Sequence, residues 1–377
     1  MSKKRYYLDA NFASQTSEEV WKLVTEFQLY HRSNFDATYQ IASLEEKITT
    51  ARRQITQAIG ADTEDYLYAT SSHSQNIFFI FYVLYQNFIY HTGKNIVLIS
   101  AFDRQTEKAL QPFVSVGCII KKIVPNAKGQ ITKQEVEDAI SPKTAFISLP
   151  FADPVTGVIY PIWDIGEYCR QMGIFFHVEV SRILGQIIFP FSRLPADFLS
   201  FDGRYLSGLS GIAITFVKKQ ISLAGFWREK NRLDMPGLLI ALGFAVNSLS
   251  NLQEYNCLEI ARHKSIFEKK LTDAMPSVQI LFPCVEQLSN TSVIAFPGLH
   301  SEALLYALQD AEIIASVGES NYESLAGIVS TCPEFADRAN QCIHCSFTNK
   351  EKTADFEEII YRMVKAVQSL SPVTGIL

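Results

Sequence analysis

The sequence predicts an α/β protein with a mostly parallel central sheet, helices on both faces, and a smaller C-terminal α+β domain. Three observations carry this expectation. Through the first two thirds of the chain, short apolar runs alternate with helix-period segments, the pattern of βαβ units. At 377 residues the chain is long enough for two domains that share one large core. From about Pro236 the order changes to a long helical stretch, followed by strand-like and helical pieces in alternation. The expected division is a large domain over 1–250 and a small one over 251–377.

Each element has its own signal. Ile41, Leu44, Ile48, Ala51, Ile55 and Ile59 recur every three to four residues and give a helix one apolar face. Strands are expected at Tyr66–Ala69, Asn95–Ser100, Cys118–Val124, Ala145–Leu149, Ile174–Val180, Phe198–Phe201 and Ile212–Val217. The run Ile77 to Tyr90, interrupted by Gln86 and Asn87, is too short to span a bilayer and reads as a buried helix. Thr132 followed by Glu135 has the form of a capping box. A helical pattern runs from about Pro236 to about Met275. Strands at Ser277–Phe282, Ser292–Phe296 and Cys342–Phe347, with helices at Ser301–Asp310 and Thr353–Leu370, form the smaller domain. No low-complexity linker separates the two, so they are expected to pack closely.

Composition excludes several function classes. Apolar residues make up 47% of the chain and charged ones 19%, an ordinary soluble globular balance. The net charge is −5 without a basic block, so nucleic acid has no electrostatic footprint here. The start, MSKKRYYLDAN, has no apolar core of a secretory signal. Seven scattered cysteines suit a reducing compartment, and the expected location is cytoplasmic, with no membrane partner. Cys342 and Cys345 have no second pair at zinc spacing, and on a strand they point to opposite faces, so no metal is expected.

In an open α/β sheet, ligands gather beyond the carboxyl ends of the strands. Thr70–Ser74 opens a helix there. Its free amides favour an anion such as phosphate, or Ser72 is a simple N-cap. Glu179 ends an apolar strand, where a carboxylate needs a cation; Arg182 and Arg204 are candidates. His177, two residues earlier, reads as a satisfied core histidine. Asp153-Pro154 is either a site or an ordinary turn. Arg104 can stack on a ring or lie in solvent.

Ser200 to Gly211, SFDGRYLSGLSG, resembles the segment of class V aminotransferases and cysteine desulfurases of the NifS/IscS type in which Ser-x-x-His-Lys precedes a Gly-rich turn. The likeness extends from Tyr7-Leu8-Asp9-Ala10 into the C-terminal domain. It implies fold type I, with the N-terminal segment packing on the small domain. It also implies pyridoxal phosphate, held in that family as an imine on the lysine. Here Tyr205 stands at the lysine position, and a phenol forms no imine. By the same resemblance, Ser72 and His73 occupy the phosphate turn, Glu179 the place of an Asp against the pyridine nitrogen, and Asp153 that of an Asn near the ring oxygen. Arg104 replaces a stacking histidine, Asp202 a phosphate-binding serine, and Arg204 the histidine before the lysine. Residues 232–236 resemble a loop whose threonine reaches the neighbouring subunit's phosphate; that threonine is missing. Ser320 lies near the place of the sulfur-accepting cysteine, and His344 replaces an arginine that binds a substrate carboxylate.

These replacements together imply loss of the family's reaction. The expected function is binding or regulation, as a homodimer or as a heterodimer with an active relative. Glu179, Arg182, Asp202, Arg204 and Tyr205 are expected to form a side-chain network where the cofactor would lie. Covalent pyridoxal phosphate is not expected, and the site holds either no cofactor or one without a covalent bond. The alternative is a transferase or lyase with noncovalent pyridoxal or pyridoxamine phosphate and Tyr205 as the acid–base group. A purely structural subunit is a third reading.

Overall fold

A computed structural model describes residues 4–14, 16–30, 38–187, 189–207, 209–221, 235–251, 253–318, 321–348 and 351–374. Ser320 and residues 232–234 lie outside them.

Seven strands form the main sheet: β2 (Tyr66–Thr70), β3 (Ile96–Ser100), β4 (Ile119–Ile123), β5 (Thr144–Pro150), β6 (Phe175–Glu179), β7 (Phe198–Asp202) and β8 (Ala213–Val217), in the order β2-β8-β7-β6-β5-β3-β4. β1 (Tyr6–Tyr7) lies outside this sheet and pairs in parallel with β11 (Ile313–Ile314), which ties the N-terminal segment to the C-terminal part of the chain. The strands from β7 to β4 are all parallel. β8 is antiparallel to both β7 and β2, so two reversals return β2 to the direction of β7. Thr70, Ser100, Pro150, Glu179 and Asp202 therefore all emerge at one end of the sheet. All seven strands fall where the apolar runs place them.

Period-two alternation gives this sheet two apolar faces. Ile96 and Leu98 belong to one core cluster and Val97 and Ile99 to the other. The second cluster includes Ile77, Ile80, Phe81 and Leu84 of the helix His73–Leu84. The first runs on into the C-terminal part through Phe282, Leu288, Val293, Ile328 and Cys342. A three-stranded antiparallel sheet, β12 (Cys342–Ser346)-β10 (Thr291–Ala295)-β9 (Gln279–Ile280), carries a further core around Phe267, Phe347 and Phe356.

Two expectations change. The long helical stretch is helical as expected on either side of residue 252, which lies outside the described residues, over Pro236–Asn251 and Gln253–Ala274. They serve different surfaces: the first packs on the helix Thr38–Ile59, the second on Asp355–Thr374. In the first, Gly243 permits the close approach, since a Cβ there would meet Ala51 Cα at 2.7 Å. The apolar run does form a helix, ending in a π-helical turn over Tyr85–Ile89, but it is not buried all round. Only one side packs on the sheet, and Phe78 and Tyr90 remain 42% and 72% exposed. The expected strand Ser277–Phe282 shortens to Gln279–Ile280, with Phe282 turned into the left-handed region at φ 61°.

Candidate functional site

The site forms where β2, β6 and β7 end. Asp202 is the last residue of β7 and is buried. Its Oδ2 accepts from the backbone N–H of His73 (3.3 Å) and its Oδ1 from that of Arg204 (3.0 Å). Its own N–H donates to Ser181 Oγ at 2.9 Å. A carboxylate of the chain itself thus lies at the N-terminus of the 12-residue helix His73–Leu84, where unpaired amides and the helix dipole favour an anion. Ser72 is the N-cap of this helix, accepting from Gln75 N at 3.3 Å. His73 is buried, with Nε2 3.2 Å from Thr106 Oγ1. Burial lowers its pKa, against the opposing pull of Asp103 and Asp202, and keeps the ring neutral at neutral pH.

Glu179 ends β6 and is 5% exposed. Ser181 donates to its Oε1 through both the backbone N–H (2.9 Å) and the hydroxyl. Arg182 Nη1 lies 3.9 Å from Oε2, a loose ion pair. Burial pushes the Glu179 carboxyl up, and Arg182 opposes this. The Arg182 guanidinium has further partners. Its Nε donates to Asn11 O (3.3 Å) and its Nη1 to the Tyr322 hydroxyl (3.2 Å). Its Cζ sits 3.5 Å from the centre of the Tyr205 ring.

Tyr205 lies in the short helical turn Arg204–Ser207 that follows β7. The Arg204 guanidinium donates to the Tyr205 phenol oxygen, with its Cζ 4.6 Å from the ring centre. Two arginines therefore hold this ring, as guanidinium groups stack on aromatic faces. Glu179, Arg182, Asp202, Arg204 and Tyr205 are brought together as a single buried or part-buried cluster.

Other expected site residues are used differently. Asp153 is consumed by its own turn: Oδ1 accepts from Val155 N (3.1 Å), Thr156 N (2.7 Å) and Thr156 Oγ1 (2.8 Å). This is the turn reading, because an Asp side chain readily bonds the amides that follow it. Arg104 is turned outward as the first residue of the helix Arg104–Val114 and pairs with Glu323 at 2.6 Å. The residue that faces inward is the N-cap Asp103, accepting from Thr106 N at 2.8 Å. His344 lies in β12, with Nε2 2.9 Å from Asp9 Oδ1; together with Arg182 and Tyr322 it lines a small recess. His177 sits between Ser148 Oγ and Ser200 Oγ, 2.9 Å from each. Parallel register puts Ser148 beside His177, so the sheet itself supplies these partners. Cys342 and Cys345 point into separate apolar clusters, and burial pushes the Cys342 thiol up to about 12. Among the described residues, no group of three or more His, Cys, Asp or Glu side chains could hold a metal ion, and no helix is long and apolar enough to cross a membrane.

Sequence reasoning missed Ser181, Asn11 and Tyr322. Ser181 stands just past a strand end, where hydroxyls bond neighbouring groups, and could have been found. Nothing local marks Tyr322. A cavity of about 470 Å³ opens beside the cluster, with Asn11, Ser14, Arg182, Tyr205, Phe244 and Asn256 in its wall. Ser181 also lines it, whereas His73, Glu179, Asp202 and Arg204 do not.

A sequence profile of the family Aminotransferase class-V matches residues 6–225, more than half of the chain. The chain belongs to the class-V aminotransferase family. Among its relatives in that family, it is 22% identical to the cysteine desulfurase IscS of Methanosarcina thermophila over 98% of this chain and 95% of the other. It is 26% identical to cysteine desulfurase 2 of Trichormus variabilis, over 83% of this chain and 80% of that one. The solved structure of a NifS-like protein from Rickettsia africae superposes with a TM-score of 0.81 at 19% identity, covering 97% of this chain and all of the other (100%). The fold is therefore that of the NifS-like members of the class-V aminotransferases.

For this family the cofactor to test against the site is pyridoxal phosphate. The described residues do not fit it. The helix N-terminus that would take the phosphate already carries the Asp202 carboxylate, and a second anion beside it would be repelled. Arg182 packs on both Tyr205 and Tyr322 beside Glu179. Tyr205, which the sequence resemblance sets at the lysine position, offers a phenol, itself bound to Arg204.

Proposed function

We propose that this class-V aminotransferase works by binding, as a regulatory subunit without pyridoxal phosphate chemistry, in a homodimer or beside an active relative. The observation that carries this reading is the Tyr205 ring held by Arg182 and Arg204, with Asp202 closing the helix N-terminus behind it. These contacts engage side chains of the cluster with one another. A cluster of this kind supports a structural use of the former site. The rival reading gives Tyr205 an acid–base role on a noncovalent cofactor. It needs open space next to Glu179 and His73, and the large cavity does not reach either residue.

The test is the absorbance spectrum of the purified protein with and without added pyridoxal phosphate, repeated on Tyr205→Lys. No cofactor band in either protein is the expected result. A band only in Tyr205→Lys would mean that the pocket is open and lacks just the amine. A band in the wild-type protein, with turnover of an amino acid, would overturn the proposal.

A further inference from the structure

Asn321–Glu323 reaches from the C-terminal part of the chain to the large sheet and is held at both ends. On the large-domain side, Asn321 O accepts from Gln105 N at 2.8 Å, and Glu323 N donates to Phe102 O at 2.8 Å. Arg104 and Glu323 close an ion pair over these two bonds. Between them Tyr322 turns inward, 3% exposed, and its hydroxyl accepts from Arg182. On the other side, Leu325 N donates to Val317 O at 2.9 Å, and Ser316 exchanges two backbone bonds with His344 of β12 (3.2 and 2.7 Å).

We propose that Asn321–Glu323 is a strap that locks the small domain onto the large one, with Tyr322 as its key. The chemistry of the contacts makes them one unit. Gln105 N–H is one of the orphan donors in the first turn of the helix Arg104–Val114, and the Asn321 carbonyl satisfies it. If the strap leaves, that donor loses its partner beside a buried side chain, and Arg182 loses the Tyr322 hydroxyl at the same moment. Tyr322 of the strap and Arg182 also line the small recess together. This inference extends the reading of a site filled by its own side chains, but its test uses no cofactor, so the two can fail separately.

The test is amide hydrogen exchange on the full chain, at single-residue resolution, in wild type and in Tyr322→Ala. In wild type the amides of Gln105 and Glu323 are expected to be protected and to open together. Tyr322→Ala should speed both by about tenfold, the loss of roughly one buried hydrogen bond, with Ile147 in β5 unchanged. If Tyr322→Ala does not fold, Arg104→Ala tests the same unit from its exposed rim and should speed both amides by a smaller factor. Unprotected Gln105 and Glu323 in wild type would overturn the proposal, as would a variant that releases Glu323 while Gln105 stays protected.

Discussion

The guanidinium of Arg182 lies 3.5 Å from the centre of the Tyr205 ring, and both side chains are buried. A desolvated contact of this kind contributes about 2 kcal/mol. It also sets direction. With its face against the ring, the guanidinium edge is free to meet Asn11 O, Tyr322 and, more loosely, Glu179. One side chain thereby ties the ends of β6 and β7 to the N-terminal segment and to the strap. Buried polar clusters are favourable only where their members keep their partners.

Arg182→Ala is expected to cost about 3 kcal/mol, because it leaves the buried Glu179 carboxylate without its cation and removes the stacking on Tyr205. Urea unfolding of the two proteins measures it. A loss below about 1 kcal/mol would mean that the cluster contributes little to the fold.

Asp202→Ala should destabilise by about 1–2 kcal/mol, because the first turn of the helix His73–Leu84 loses its anion and the His73 amide loses its acceptor. Asp202→Asn keeps an acceptor without the charge and should fall between the two. The ordering of the three unfolding midpoints is the readout. If Asn and Ala variants behave alike, the charge rather than the hydrogen bond matters.

The strands were legible because each is a short apolar run bounded by polar turns, and parallel burial leaves little else that such runs can be. The cluster was legible as well, since Glu179, Arg182, Asp202 and Arg204 crowd two adjacent strand ends. What the sequence left open was direction. At Phe102-Asp103-Arg104 the helix starts at Arg104, with the buried Asp103 as its N-cap and Arg104 turned out to Glu323. Asp153 lay at the right strand end, but its carboxylate bonds its own turn. Tyr322 was invisible, because its partner Arg182 lies 140 residues away in sequence and no periodicity links the two.

Thr132 and Glu135 form the full capping box, with the Thr132 side chain accepting from the helix and Glu135 accepting from Thr132 N at 2.8 Å. Thr132→Ala is expected to cost about 1 kcal/mol. Because this cap lies outside the cluster, its effect should add to that of Arg182→Ala in the double variant. A departure from additivity above about 0.5 kcal/mol would show that the two places communicate.

His177 supplies a pH test. Burial between Ser148 and Ser200 drives its pKa well below the ordinary histidine value, with His73 adding to the effect. In the unfolded chain the same ring takes up a proton near pH 6.5. Below that pH the unfolded state binds more protons than the folded state, so stability falls as pH falls. The contribution is complete above pH 6.5 and is lost at about 1.4 kcal/mol per pH unit below it, until the folded pKa is reached. Burial raises the pKa of Glu179, Asp103 and Asp153, which work in the opposite direction, stability falling as pH rises through their range. These acids and His73 are present in both wild type and His177→Gln, so they cancel in the difference between the two proteins. Urea unfolding at pH 7.5 and 5.5 should therefore show wild type losing about 1.4 kcal/mol relative to His177→Gln. A difference that stays flat across this range would mean that the imidazole takes up its proton inside the fold, and that the two serine hydroxyls do not hold it neutral.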